Sequence, residues 1–173
     1  MTHEIRKLTL ADIPLFRSLR LIGLHERPDA FGETAQHFAL RSDEEIARDF
    51  AASSENGGFR LGAFTDRGRL DGIVCCGREA GEKSSHRGVV WGMYVAQAAR
   101  GKGLGRLLMD RLIEEARRVE GLQQLHLSVV TSNQAALELY RSIGFSVYGT
   151  DPRVLNVDGR LLDEYLLWYP LSP

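Results

Sequence analysis

Several features that would assign a function directly are scarce in this sequence. It has only two cysteines, Cys75 and Cys76, and they are adjacent in an apolar, strand-like run. Successive side chains of a strand point to opposite faces, so this pair argues against a disulfide framework or a zinc site. We predict two small buried residues and no bound metal.

Long apolar runs and an excess of one charge are also missing. No stretch approaches the roughly 20 apolar residues of a membrane span, and the N-terminus lacks the apolar segment of a signal peptide. The formal net charge is -1, without a concentrated tract of Lys and Arg. Such a chain offers no electrostatic footprint for nucleic acid or a membrane surface, so we expect neither partner and a cytoplasmic location.

The composition is that of a globular protein. With 173 residues, of which 43% are hydrophobic and 26% charged, the chain suits a single domain spanning residues 1–173. Hydrophobic periodicity and turn signals predict the element order β-α-α-β-β-β-α-β-α-β-β. The predicted elements cover residues 5–8, 11–25, 42–52, 58–64, 70–78, 86–95, 103–119, 124–130, 133–143, 145–149 and 161–169.

The most informative motif is a glycine-rich turn between a strand and a helix. It reads Arg100-Gly101-Lys102-Gly103-Leu104-Gly105 and is followed by Arg106. A turn of this kind directs backbone N–H groups and the positive end of a helix dipole at an anion, which predicts a phosphate site. The spacing fits neither a P-loop, which needs Lys followed by Ser or Thr, nor the G-x-G-x-x-G of a Rossmann turn.

A second motif lies about 30 residues further on. It reads Asn133-Gln134-Ala135-Ala136-Leu137-Glu138-Leu139-Tyr140-Arg141-Ser142-Ile143-Gly144-Phe145. Asn133 is a good helix N-cap, and Gly144 can close the helix in a left-handed turn. The apolar positions between them fall on one helical face. Tyr140 lies on that face, where packing alone would account for it.

Together the two motifs resemble those of the GCN5-related N-acetyltransferases (GNAT). Arg-x-x-Gly-x-Gly is similar to the family's loop for the diphosphate of coenzyme A, and the second motif is similar to Asn-x-x-Ala-x-x-Leu-Tyr-x-x-x-Gly-Phe. The resemblance implies an α/β fold with a mixed, mostly antiparallel sheet flanked by helices. It also implies an enzyme that uses acetyl-CoA to acetylate a primary amine.

The resemblance assigns roles to particular residues. Backbone groups of the strand before the loop would pair with the pantetheine arm and polarise the thioester carbonyl, and the loop would hold the diphosphate. Asn133 could bind the coenzyme or only cap its helix, and Gly92 could mark a bulge or the point where the strand bends away. The predicted coenzyme-binding residues are Met93, Tyr94, Val95, Arg100, Gly101, Lys102, Gly103, Leu104, Gly105, Arg106 and Asn133.

Tyr140 is the predicted catalytic residue. Tyrosine at this place in the family's motif commonly donates a proton to the departing coenzyme A thiolate. The general base is open, because aligning the glycine motifs puts Val89 where the histone-modifying members carry a glutamate. An amine acceptor must still lose a proton before it attacks the thioester. The candidate bases are Glu79, Glu82, His86, His126 and Glu164.

The acceptor, a small molecule or a peptide amine, is not identified by the sequence. Phe31 and Phe38 could line its groove or seal the core, and His25 and Glu33 are candidate contacts to a cationic acceptor. The alternative function is a non-catalytic acyl-CoA sensor on the same fold. A nucleotide-binding domain of another class is disfavoured by the failed spacings, and a homodimer is expected only because dimers are common.

Overall fold

The architecture is a seven-stranded sheet flanked by helices on both faces, in the order β1-β2-β3-β4-β5-β7-β6. The computed structural model describes residues 2–171. The strands are β1 (His3–Lys7), β2 (Phe59–Thr65), β3 (Leu70–Arg78), β4 (Arg87–Val95), β5 (Gln124–Val130), β6 (Ser146–Val157) and β7 (Arg160–Pro170). Within residues 2–171, only the β4–β5 pairing is parallel. The predicted fold class is confirmed.

Five α-helices connect these strands: α1 (Ile13–Glu26), α2 (Ala35–Ala39), α3 (Asp43–Glu55), α4 (Leu104–Ala116) and α5 (Gln134–Ile143). A capping box at Ser42 begins α3, because the Ser42 backbone N–H donates to Glu45 Oε2 at 2.7 Å and its Oγ accepts from Glu45 N at 3.2 Å. The short α2 adds one element to the predicted order. Its first turn is stabilised by Thr34, whose hydroxyl accepts from His37 N.

The sheet separates two hydrophobic clusters. One cluster joins α4 and α5 to the sheet and contains Cys76, and the other joins α1, α2 and α3 to the opposite face and contains Cys75. The adjacent cysteines are therefore buried on opposite faces, as the alternation of strand side chains predicts. Gly23 lets α1 approach β4 closely, since a Cβ there would lie 2.8 Å from Tyr94 Cδ2.

The last hairpin departs most from the sequence-based expectation. The sequence predicts a strand over residues 145–149, whereas β6 spans Ser146–Val157. Its pairing with β7 shifts register between Val147 and Gly149 and again between Asp151 and Leu155. These irregularities interrupt the alternation on which the prediction depended.

No helix among residues 2–171 is long and apolar enough to cross a membrane.

Candidate active site

The site begins where the two central strands separate. β4 and β5 pair at Arg87↔Gln124, Gly88↔Leu125 and Val89↔His126, and beyond these three positions no pairing continues between them. Both strands run on, to Val95 and Val130 respectively. The β5-facing edge of β4 is therefore free along its second half, where its N–H and C=O groups can pair with an extended ligand.

A bulge at Gly92 shapes this free edge. Ile73 of β3 pairs with Tyr94, but Cys75 pairs with Trp91, so two residues of β4 stand opposite one of β3. Gly92 has φ +67°, a left-handed conformation that favours glycine. Of the two interpretations left open for Gly92, the bulge is present, and it lies three residues beyond the last pair between β4 and β5.

Two cavities meet in the gap. One, of about 410 Å³, extends from the separated strands towards α1 and the segment before α2. The other, of about 380 Å³, extends along β4 to the glycine-rich loop. They share the lining residues Ala30, Phe31, Met93, Asn133, Ala136 and Leu139. We call the first the inner cavity and the second the loop cavity; together they form one cleft through the sheet.

The glycine-rich loop and the start of α4 close one end of the loop cavity. Gly101 and Gly103 have φ +73° and +77°, and a Cβ on either would meet no atom within 4 Å. Gly105 is different, because its Cβ would lie 3.3 Å from Leu139 Cδ2 and Met93 Cε. Leu104 is buried and also lines the loop cavity. The first amides of α4 have no intrahelical acceptor, which makes this end of the cavity suited to an anion.

The basic side chains of the loop hold it in place through oxygen atoms of the protein. Arg100 donates from Nε to Val95 O and from Nη2 to Glu26 Oε2, both at 2.8 Å. Lys102 Nζ donates to Ala98 O at 2.8 Å. These contacts fix the loop against α1 and β4, and Arg100 also lines the loop cavity.

Arg106 and Tyr94 are also engaged within the protein. Arg106 contacts the end of α5 through Ser142, with Nη1 lying 3.2 Å from the Ser142 hydroxyl oxygen. The Tyr94 hydroxyl donates to Glu26 at 2.7 Å, and burial together with that carboxylate raises the pKa of Tyr94 to about 12. The ring packs beneath α1, so Tyr94 offers the cleft mainly its backbone. Its neighbours Met93 and Val95 pack on the other face and line the loop cavity.

Tyr140 and Asn133 come from α5 and its N-cap. Tyr140 is only 7% exposed, its ring packs against Phe145 with centroids 5.9 Å apart, and it lines the inner cavity. No hydrogen bond joins its hydroxyl to any residue in the 2–171 range, and burial raises its pKa to about 12. Asn133 Oδ1 accepts from Ala136 N at 3.3 Å, which confirms the predicted cap. Asn133 also lines both cavities.

Of the candidate bases, Glu164 alone lines the inner cavity. It lies on β7 and pairs with Val130 at the end of β5. His126 lies beside Arg87, with Nδ1 3.3 Å from Nη2, and its pKa is lowered by burial and by that guanidinium. Glu79 contacts Arg87 as well, at 3.4 Å. Glu82 and His86 lie on the loop between β3 and β4 and line neither cavity.

The residues that were candidate contacts to the acceptor lie in three different places. Phe31 lines the whole cleft and Glu33 lines the inner cavity. Phe38 is 2% exposed and packs edge-on against Phe16, so it belongs to the core. His25 lines a separate cavity of about 580 Å³ between α1 and the β6–β7 hairpin.

Sequence reasoning missed Arg20, which lines the inner cavity from α1. Its signal was available, because Arg20 interrupts an otherwise apolar buried face formed by Ile13, Phe16, Leu19, Gly23 and Leu24. An arginine on the core-facing stripe of a helix is unusual unless it is paired or serves a site. Trp91 and Ser128, also missed, line the same cavity.

Comparison with known proteins assigns this architecture to a family. A family model described as the acetyltransferase (GNAT) family matches residues 24–145. The chain belongs to that family. It is therefore an acyltransferase of the N-acetyltransferase type, and the resemblance found in its two motifs is confirmed.

Three relatives illustrate the range of the match. A methionine sulfoximine/methionine sulfone acetyltransferase of Pseudomonas paraeruginosa is 29% identical over 173 residues, 100% of this chain and 97% of that protein. The L-amino acid N-acyltransferase MnaT of Escherichia coli is 44% identical over 71 residues, 41% of each chain. A putative acetyltransferase of Salmonella typhimurium, solved with its cofactor acetyl-CoA, superposes with a TM-score of 0.87 at 25% identity, covering 100% of this chain and 96% of that one.

Metal ligation finds no support in the described part of the chain. Among residues 2–171, no group of three or more His, Cys, Asp or Glu side chains is arranged to hold a metal ion. The polar groups of the inner cavity are instead an arginine, two carboxylates, an amide and hydroxyls.

Proposed function

We propose that this protein transfers an acetyl group from acetyl-CoA to the primary amine of an amino acid. The observation that carries the proposal is the cleft itself, which joins an anion-binding loop, a free strand edge and the Tyr140 hydroxyl in one continuous space. The relative from Salmonella typhimurium was solved with acetyl-CoA, which supports this donor. The named relatives are enzymes, so a non-catalytic sensor is not favoured.

The donor would lie along β4. Backbone N–H groups of the loop and of the first turn of α4, residues 101–106, bind the diphosphate, and their glycines leave room for it. The pantetheine arm pairs with the free edge of β4 at residues 93–95 as an added strand. Asn133 contributes its side-chain N–H₂, because the cap uses only its carbonyl oxygen. The thioester then reaches the level of Tyr140, where the loop cavity opens into the inner cavity.

The chemistry is a direct transfer between two bound substrates. The amine nitrogen attacks the thioester carbonyl carbon, a C–N bond forms, and the negative charge on the carbonyl oxygen is stabilised by backbone N–H groups of β4. The C–S bond then breaks, and the sulfur takes the proton of the Tyr140 hydroxyl. The second proton that the acylated nitrogen loses passes through water to the Tyr140 oxygen and restores the hydroxyl. Glu164, directly or through a water, accepts the proton that the ammonium must lose first.

The relatives give the acceptor class its first support. Two of them are named for L-amino acids or for methionine derivatives, in which the amine and a carboxylate are carried by the same carbon. The inner cavity has a volume of about 410 Å³, which suits a molecule of this size. A second candidate class, a peptide N-terminus, is supported by two other relatives. A ribosomal-protein-alanine N-acetyltransferase of Brucella melitensis is 29% identical, covers 96% of this chain and superposes with a TM-score of 0.84, and an N-alpha-acetyltransferase of Mycobacterium tuberculosis is 43% identical over 65 residues.

Acceptor-dependent release of thiol from acetyl-CoA is the decisive measurement. Purified protein is assayed with pooled L-amino acids, polyamines, aminoglycosides and short peptides, and the acetylated product is identified by mass spectrometry. We expect release with the amino acid pool. If no pool causes thiol release although acetyl-CoA binds, the proposed transfer is wrong and a non-catalytic acyl-CoA sensor is favoured.

A further inference from the structure

Arg20 has an environment that a purely structural arginine rarely has. Its side chain is 6% exposed, and its Nε and Nη1 atoms are buried without any hydrogen-bond partner among residues 2–171. Arg20 forms an ion pair with Glu33, whose Oε2 lies 3.6 Å from Nη2, a separation longer than a normal hydrogen bond. Burial lowers the pKa of Arg20.

The protein offers this cation only partial compensation. The guanidinium carbon lies 4.5 Å from the centroid of the Phe31 ring and 5.9 Å from that of Trp91, which gives cation–π stabilisation. Such contacts leave the N–H groups unsatisfied, and a buried donor without a partner is costly, more so when it is charged. A planar array of donors without partners beside a cavity is suited to a carboxylate, which can accept two parallel N–H bonds.

We infer that Arg20 binds the carboxylate of the acceptor and restricts the enzyme to amines that carry one. This inference rests on the proposed function and adds to it the residue that selects the substrate. The charges that line the inner cavity fit a zwitterion, because Arg20 supplies a positive charge for the carboxylate, while Glu33 and Glu164 supply negative charges for the ammonium group. A polyamine or a lysine side chain would instead bring a cation towards a buried guanidinium.

Arg60 provides a matched control for burial and stacking. It is 7% exposed, its Nε is also buried without a partner, and its guanidinium lies 4.1 Å from the Phe50 ring and 5.5 Å from that of Trp91. Unlike Arg20, it lines neither cavity of the cleft. Substituting Arg60 therefore removes a buried arginine that stacks on Trp91, as Arg20 does, but that does not itself line the cleft.

The experiment compares each L-amino acid with its own amide, which keeps the amine but removes the negative charge. For wild type we expect kcat/KM for the best amino acid to exceed that for its amide at least about tenfold, since hydrogen bonds to charged groups are worth that much or more. Arg20→Met should reduce this ratio to below about threefold. Arg60→Met should leave the ratio unchanged.

A second variant keeps the test decisive if Arg20→Met does not fold. Arg20→Lys keeps the charge but loses the fork of donors, and we expect an intermediate ratio with an unchanged Kd for acetyl-CoA. Equal use of amino acids and amides by wild type, or an unchanged ratio in both Arg20 variants, would overturn the role of Arg20 and leave the acetyltransferase proposal intact. Absence of thiol release with every amine would overturn the proposed function, and this inference with it.

Discussion

Replacing Tyr140 by phenylalanine removes one hydroxyl from the centre of the cleft. The hydroxyl makes no hydrogen bond to residues 2–171, so its loss leaves no protein group without a partner. The ring keeps its contact with Phe145. We therefore expect the free energy of unfolding to change by less than about 0.5 kcal/mol and the Kd for acetyl-CoA by less than about threefold.

The effect on turnover follows from the proton that the hydroxyl carries. With a pKa of about 12, Tyr140 is neutral throughout the working pH range and can donate to sulfur. A hydrogen bond to an ionised leaving group is worth about 1.5–3 kcal/mol, or roughly 10- to 150-fold in kcat. Proton transfer within the transition state raises the loss to roughly 10²–10⁴-fold. We expect a loss of about 10²-fold, where the two ranges meet.

Steady-state thiol release with saturating acetyl-CoA and acceptor measures this loss. Tyr165→Phe is the matched control, because Tyr165 also packs against the cluster that joins α4 and α5 to the sheet, but it lines neither cavity. It should keep kcat within about twofold of wild type. If Tyr140→Phe turns over within about threefold of wild type, Tyr140 is not the proton donor and the chemical step proposed above is wrong.

Two further predictions concern the cleft, and a third concerns the buried thiol of Cys75. Gly103→Ala should raise the Kd for acetyl-CoA at least about tenfold. Gly68→Ala, at a position with a similar φ of +75° in the β2–β3 turn, should cost similar stability without altering the binding of acetyl-CoA. Titration calorimetry separates the two outcomes. Glu164→Gln should lower kcat/KM at least about 10²-fold, whereas Glu79→Gln, outside the cleft, should stay within twofold, and equal losses would remove Glu164 as the base. Burial raises the pKa of the Cys75 thiol from 9.0 to about 12, so ionisation favours the unfolded chain as pH rises from 9 to 12. Wild type should then lose about 2 kcal/mol of stability between pH 8 and pH 10.5 that Cys75→Ala keeps, as measured by urea unfolding.

The sequence by itself determined the elements and the family. Strand and helix periods follow from local patterns of polar and apolar residues, and these predicted the elements at 58–64 and 70–78, the helix over 42–52 and the burial of the two cysteines on opposite faces. The glycine-rich turn and the Asn133 cap are local as well, because each is specified by a few consecutive residues. The register shifts that lengthen β6 depend on pairing with β7, so residues 145–149 alone could not predict them.

Only the tertiary structure decided which side chains share the cleft. Glu164 is distant in sequence from the glycine-rich loop, and it lines the inner cavity because β7 inserts between β5 and β6 in the sheet. The cleft exists because β4 and β5 stop pairing after Val89, and a parallel pair of distant strands leaves no local signal of where it ends. Arg20 reaches the same cavity because Gly23 lets α1 lie close to β4. These side chains come together through packing between distant segments, which local sequence patterns do not encode.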